Sequence, residues 1–125
     1  HRHMVAPALI TAGWYDVILR SDLENYKLLR AQGATQAARE ETRLIIGPWT
    51  HGPGMHSSTG GDIDFGLRSS GLALDLREDL TDQHRRWFDH WLKDVPELDF
   101  APVRIFVMGA NRWRDEDEWP IARAR

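Results

Sequence analysis

Two short apolar runs that do not alternate, each closed by a glycine, constrain this chain most. Pro7-Ala8-Leu9-Ile10-Thr11-Ala12 ends at Gly13, and Thr42-Arg43-Leu44-Ile45-Ile46 ends at Gly47, where Pro48 forbids continuation. A run without period-two alternation suits a strand covered on both faces, as in a parallel α/β sheet. Between the runs, Ser21 and Glu24 have the spacing of a capping box. Leu23, Tyr26, Leu28 and Leu29 supply an apolar helix face, and Gly33 a C-terminal stop. The order strand, helix, strand predicts one right-handed βαβ unit.

From Thr50 to about Gly71 runs a loop rich in Gly, Ser and Pro, long enough to be expected functional or mobile. A second helix follows, with Leu80, His84, Trp87, Phe88, Trp91 and Leu92 on a single apolar stripe. Val95-Pro96 ends it, and the stretch to Pro102 reads as a linker. Val103-Arg104-Ile105-Phe106-Val107-Met108-Gly109 then alternates with period two, which predicts an antiparallel strand with one wet face. There is no internal repeat and no low-complexity tract. Two parallel strands and one half-exposed strand fall short of the roughly four to six that sheets usually hold. The expectation is a fragment spanning a domain junction near Pro102. His1-Arg2-His3-Met4 is either native or a vector remnant ahead of Met4.

Composition removes several function classes. The chain has 125 residues, room for one domain at most. A net charge of -3 leaves no electrostatic footprint for nucleic acid. No apolar run approaches the roughly 18–20 residues of a membrane span, and no signal peptide opens the chain, so neither nucleic acid nor membrane is an expected partner. The only lean on location is toward cytoplasm, from that missing signal. The absence of cysteine excludes disulfides, thiolate nucleophiles and cysteine metal sites.

In open α/β sheets, ligands and catalytic groups gather beyond the C-terminal ends of the strands. Asp16 follows the first strand in Gly13-Trp14-Tyr15-Asp16, and His51 follows the second in Gly47-Pro48-Trp49-Thr50-His51. Neighbouring parallel strands bring both tips to one edge. A carboxylate there can accept the imidazole Nδ1 proton and leave Nε2 free as general base. Trp14 and Trp49 would exclude water from the pairing. A lone Asp after a strand is usually a turn or cap residue, and a lone His in a Gly/Pro loop is usually solvated. Spacing alone leaves the two readings level.

Other candidates carry less. His51 with His56, and His1 with His3, have no carboxylate or cysteine spaced to complete a metal site. His84 and His90 read as packing or surface residues of the second helix, Trp87 and Trp91 as core. Arg85-Arg86 is too short for a polyanion site. The acidic run from Asp115 to Glu118 reads as a solvated turn, and Phe65 as buried against the sheet.

Five ordered strings look like one family. They are Pro7-Ala8-Leu9-Ile10-Thr11-Ala12-Gly13-Trp14-Tyr15-Asp16, Gly47-Pro48-Trp49-Thr50-His51, Trp87-Phe88-Asp89-His90-Trp91-Leu92, Val103-Arg104-Ile105-Phe106-Val107-Met108-Gly109 and Trp113-Arg114-Asp115-Glu116-Asp117-Glu118-Trp119-Pro120. Together they resemble the cocaine esterase / glutaryl acylase group of α/β-hydrolases, the X-Pro dipeptidyl-peptidase-like serine hydrolases. The resemblance implies that Asp16 and His51 are triad members, with no metal or organic cofactor required. It implies that residues 1–98 are the C-terminal part of an α/β-hydrolase parallel sheet with flanking helices. Residues 99–125 would begin a β jelly-roll domain, with the Val103 strand as its first.

The nucleophile motif Gly-x-Ser-x-Gly is absent. Gly66-Leu67-Arg68-Ser69-Ser70-Gly71 has the wrong spacing and follows no strand. In the family the Ser and oxyanion donors lie upstream, so the fragment alone is expected to be inactive and to need the rest of its own polypeptide. Relatives that bind an α-amino group place acidic residues after the triad Asp. Val17, Ile18 and Leu19 stand there instead, which favours an apolar acyl or alkyl group on a small ester or amide, with Trp14, Tyr15, Ile18 and Trp49 as the expected pocket. The rival reading is a non-catalytic module whose tryptophans, Trp113 and Trp119, stack on carbohydrate or peptide. Self-association to a homo-oligomer through exposed sheet edges stays open beside it.

Overall fold

The structure, a computed structural model, describes residues 1–96 and 98–124. At its centre is a four-stranded mixed sheet, formed in order across it by β1 (Leu9–Gly13), β2 (Arg43–Gly47), β5 (Val103–Val107) and β6 (Arg112–Glu116). β1 and β2 run parallel, from Leu9 beside Arg43 to Gly13 beside Gly47. α1 (Leu19–Gln32) and the short α2 (Gln36–Glu40) connect them. The missing alternation has the expected cause. Leu44 and Ile46 join Ala12, Tyr26, Val103 and Ile105 on one face, while Ile45 joins Trp49, Leu74 and Leu80 on the other. Both parities of β2 are apolar because both faces are covered.

α1 begins earlier than the Ser21–Glu24 box predicts. Its cap residue is Ile18, without a side-chain capping bond, and Ser21 falls inside the first turn. The Asp16 carboxylate takes over at the helix entrance, where Oδ1 accepts the Ile18 amide at 2.9 Å. α3 (Leu80–Lys93) is capped by Asp79, which accepts the Asp82 amide at 2.7 Å. Leu80, Gln83 and Trp87 of α3 are buried, but Phe88 and Leu92 lie open to solvent. The apolar stripe is wider than the face that packs. Among the described residues, no helix is long and apolar enough to cross a membrane.

β5 (Val103–Val107) departs from expectation. It runs parallel to β2 and antiparallel to β6 (Arg112–Glu116), with Leu44 beside Val103 and Phe106 opposite Trp113. α3 returns the chain to the starting end of the sheet, so β5 runs with β2. A turn in which Gly109 and Asn111 take positive φ then reverses it into β6. The strand expected to open a separate jelly-roll sheet therefore continues the first sheet. Its second face is covered as well, because Phe106 is buried against Phe65 and Trp113. The acidic run is not a free turn: Asp115 accepts from Arg104 at 2.6 Å, and Glu116 is buried against Arg114 and Arg123.

The long loop is ordered from within. It contains a 3₁₀ turn (Gly52–His56), a small hairpin of β3 (Thr59–Gly60) and β4 (Ile63–Asp64), and a second 3₁₀ turn (Leu67–Ser69). Buried serines tie it: Ser69 Oγ donates to the Gly66 carbonyl and Ser70 Oγ to the His56 carbonyl, both at 2.7 Å. Beneath it, Trp49 is completely buried and its indole donates to the Ser69 carbonyl at 2.6 Å.

A Cβ at Gly47 would collide with the Trp49 ring. Gly47→Ala should therefore destabilise the chain by about 1–3 kcal/mol, the usual cost of overpacking. Urea denaturation of both chains measures this, and an unchanged midpoint would mean that the indole does not seal this edge.

Candidate active site

β1 and β2 end side by side, and their exits are stitched together beyond the last paired residues. The Trp14 amide donates to the Gly47 carbonyl at 2.8 Å and the Tyr15 amide to the Trp49 carbonyl at 3.0 Å. Close approach requires glycine at both exits, since a Cβ at Gly13 would strike the Trp49 backbone. Asp16 leaves β1 in a turn, its amide donating to the Gly13 carbonyl at 3.0 Å. His51 leaves β2 just ahead of the first 3₁₀ turn.

Those two side chains meet. His51 Nδ1 lies 3.0 Å from Asp16 Oδ1 and 3.0 Å from Oδ2. The Asp16 side chain is 1% exposed, whereas the imidazole is 60% exposed. A carboxylate only accepts, so Nδ1 donates, and the neutral imidazole keeps its lone pair on Nε2. The tautomer follows from the partner. The Ile18 amide and the N-terminal end of α1 add positive potential on the other side of the carboxylate. The arrangement holds a base-competent nitrogen at the surface with its acid buried behind it.

Sequence reasoning missed a second acidic group. Asp22, in the first turn of α1, has its carboxyl raised above the ordinary 3.8, by burial first and then by the charge of Asp16, with His51 opposing. Its helical spacing marked it only as an N-terminal acid. Nothing in the pattern told that this turn faces Asp16.

The expected pocket residues divide. Tyr15 and Ile18 are exposed, and the Tyr15 ring lies 6.2 Å from that of Phe65. Trp14 is half-buried, donating its indole N–H to the Phe106 carbonyl at 2.8 Å and packing on Trp119. Trp49 has no exposed surface to offer a ligand, so its expected place in the pocket is corrected to a core wedge. Phe65 is buried, as read. Ser69 and Ser70 are buried and donate to carbonyls, which leaves neither as an available nucleophile. His84 and His90 bond backbone carbonyls of Leu80 and Val95. Among the described residues, no three His, Asp or Glu side chains converge to hold a metal.

Comparison with known proteins agrees with the motifs. Residues 1–53 match the X-Pro dipeptidyl-peptidase (S15) family. Over 121 residues the chain is 35% identical to the cocaine esterase of Rhodococcus sp. (strain MB1 Bresler), covering 94% of this chain and 19% of that protein. The crystal structure of an aminopeptidase from a marine sediment Thaumarchaeota archaeon superposes with a TM-score of 0.68 at 26% identity, over 96% of this chain and 18% of the other. The chain thus spans about a fifth of the length of these relatives. It is a relative of the cocaine-esterase-type, X-Pro dipeptidyl-peptidase-like proteins, and the relatives named are hydrolases.

Nitrogen-15 NMR should find the neutral His51 ring protonated on Nδ1, with Asp16→Asn shifting the population toward Nε2–H. A parent ring protonated on Nε2 would contradict the pairing. For Asp22 the folded state binds the proton more tightly than the unfolded state. Its contribution to stability is therefore present below the ordinary value of 3.8 and lost as pH rises through the raised one. Asp22→Asn should stabilise the chain at pH 7, with the gain disappearing in acid below the carboxylate range. Denaturation at both pH values reads it, and a gain of equal size at both would rule out charge as its cause.

Proposed function

We propose that this relative of cocaine-esterase-type hydrolases supplies the acid and the histidine of a Ser-His-Asp triad that cleaves ester or amide bonds. The serine nucleophile and the oxyanion donors come from polypeptide outside these 125 residues. The observation that carries the reading is the bond from His51 Nδ1 to the buried Asp16 carboxylate at 3.0 Å. The hydrolase names of the relatives support it.

In this reaction His51 Nε2 takes the proton of the serine as its oxygen attacks the substrate carbonyl. Asp16 holds the imidazole in the tautomer that leaves Nε2 free and stabilises the imidazolium that forms. His51 then hands the proton to the departing alcohol or amine, leaving an acyl-serine. Water, deprotonated by the same nitrogen, releases the acid. The exposed apolar surface of Tyr15, Val17 and Ile18 next to the acid favours an apolar acyl or alkyl group. The tryptophan-binding alternative finds no comparable support. Trp113 donates its indole N–H to the Arg68 carbonyl at 2.6 Å and packs on Trp49 and Phe106, while Trp119 packs on Trp14.

The test is p-nitrophenyl butyrate hydrolysis by the complete protein, its His51→Ala variant and the 125-residue chain. The complete protein should turn over ester, His51→Ala should lose about 10³–10⁴-fold, and the short chain should be silent. A variant as fast as its parent would remove His51 from the chemistry.

A further inference from the structure

Away from the Asp16–His51 edge lies a cavity of about 10 Å³, taken as the space open to the centre of a water molecule. Gln83 of α3, Arg43 at the start of β2 and Arg104 of β5 all line it. That is room for about one water.

The polar groups on its walls do not match one another directly. Gln83 is 1% exposed; its Nε2 donates to Glu78 Oε1 at 2.9 Å, and its Oε1 has no protein partner among the described residues. Flipping the amide is no remedy, because it would set Oε1 against the Glu78 carboxylate. Every guanidinium nitrogen of Arg43 already donates once: Nε to the Phe100 carbonyl at 3.1 Å, Nη1 to the Glu40 carbonyl at 2.9 Å, and Nη2 to Glu41 at 2.5 Å. Arg104 has one nitrogen without a bond. Its Nε and Nη2 hold Asp115 at 2.6 and 3.0 Å, but Nη1 stands 3.7 Å from Glu78 Oε1, beyond hydrogen-bond length. A surplus acceptor on α3 and a surplus donor on β5 thus border one water-sized space.

We infer that this cavity is a specific site for one water molecule, which accepts from Arg104 Nη1 and donates to Gln83 Oε1. Both guanidiniums already face carboxylates, so the site has no call for an anion. A cation would face two arginines. A neutral molecule that both accepts and donates, and is no larger than water, satisfies both walls and ties α3 to the sheet.

The experiment pairs a high-resolution crystal structure of the parent chain with oxygen-17 relaxation dispersion of the parent and Gln83→Met. An ordered water within hydrogen-bond distance of both atoms is expected, together with loss of one long-lived water in Gln83→Met. A direct Arg104–Gln83 bond, an anion-sized peak at the site, or equal dispersion in the two chains would each overturn the inference. Should Gln83→Met fail to fold, the density of the parent decides alone.

Discussion

The edge of the sheet where Asp16 and His51 meet is held in shape by one buried indole, that of Trp49. Its ring occupies the space a side chain at Gly47 would need, its backbone presses on Gly13, and its carbonyl receives the Tyr15 amide. Its N–H reaches the Ser69 carbonyl, and its ring lies 5.6 Å from that of Trp113 on β6. The exits of β1 and β2, the long loop and the edge strand all converge on this one side chain. Two glycines are needed beside it because an interior packed like a crystal has no slack for another methyl group. Tying the two exits together is what lets Asp16 and His51 meet across 35 positions of sequence.

The two members of that pair are held differently, and the difference suits the roles proposed for them. Asp16 is buried and gripped from behind by the Ile18 amide, so its charge acts on the imidazole with little screening by water. His51 keeps most of its ring in solvent, with Nδ1 anchored and Nε2 outward. A buried imidazole would be positioned but unreachable. An exposed carboxylate would be reachable but weak in effect. The loop after His51 is tied to itself by the Ser69 and Ser70 hydroxyls, which donate to the Gly66 and His56 carbonyls.

The βαβ unit was legible in the sequence because it rests on a local signal, an unalternating run with a closing glycine, whereas the meeting of Asp16 with His51 was an even reading on spacing that the family motifs tipped. What escaped was set by partners far along the chain. Val103–Val107 does alternate, and Val103 and Ile105 do share a face, but its other face is closed by Phe65 and Trp113, which no local period can report. β6 reads as charge and turn because it is an edge strand, whose charged residues are matched across the ladder by Arg104 and along the chain by Arg123. Trp49 stood beside the site in sequence and was read as a pocket wall, whereas its burial decides that it is a wedge. Ser21 lost the capping role because the helix already starts at Leu19, with Ile18 as its cap residue.

The two faces of the sheet are joined to their helices by different physics. On the α1 side the contact is nearly all hydrocarbon and aromatic, from Ala12 and Tyr26 to Ile105 and Ile121. On the other side α3 contributes Leu80 and Trp87 to the interior, and the rest of its attachment is polar, with Glu78 just before it joining Gln83, Arg86 and Arg104. Partly exposed ion pairs stabilise little, so α3 is the more weakly held layer. It still reaches the support of the Asp16–His51 pair, because Leu80 shares a buried cluster with Trp49. The strand exits, the Trp49 wedge and the serine-tied loop keep acid and histidine in contact.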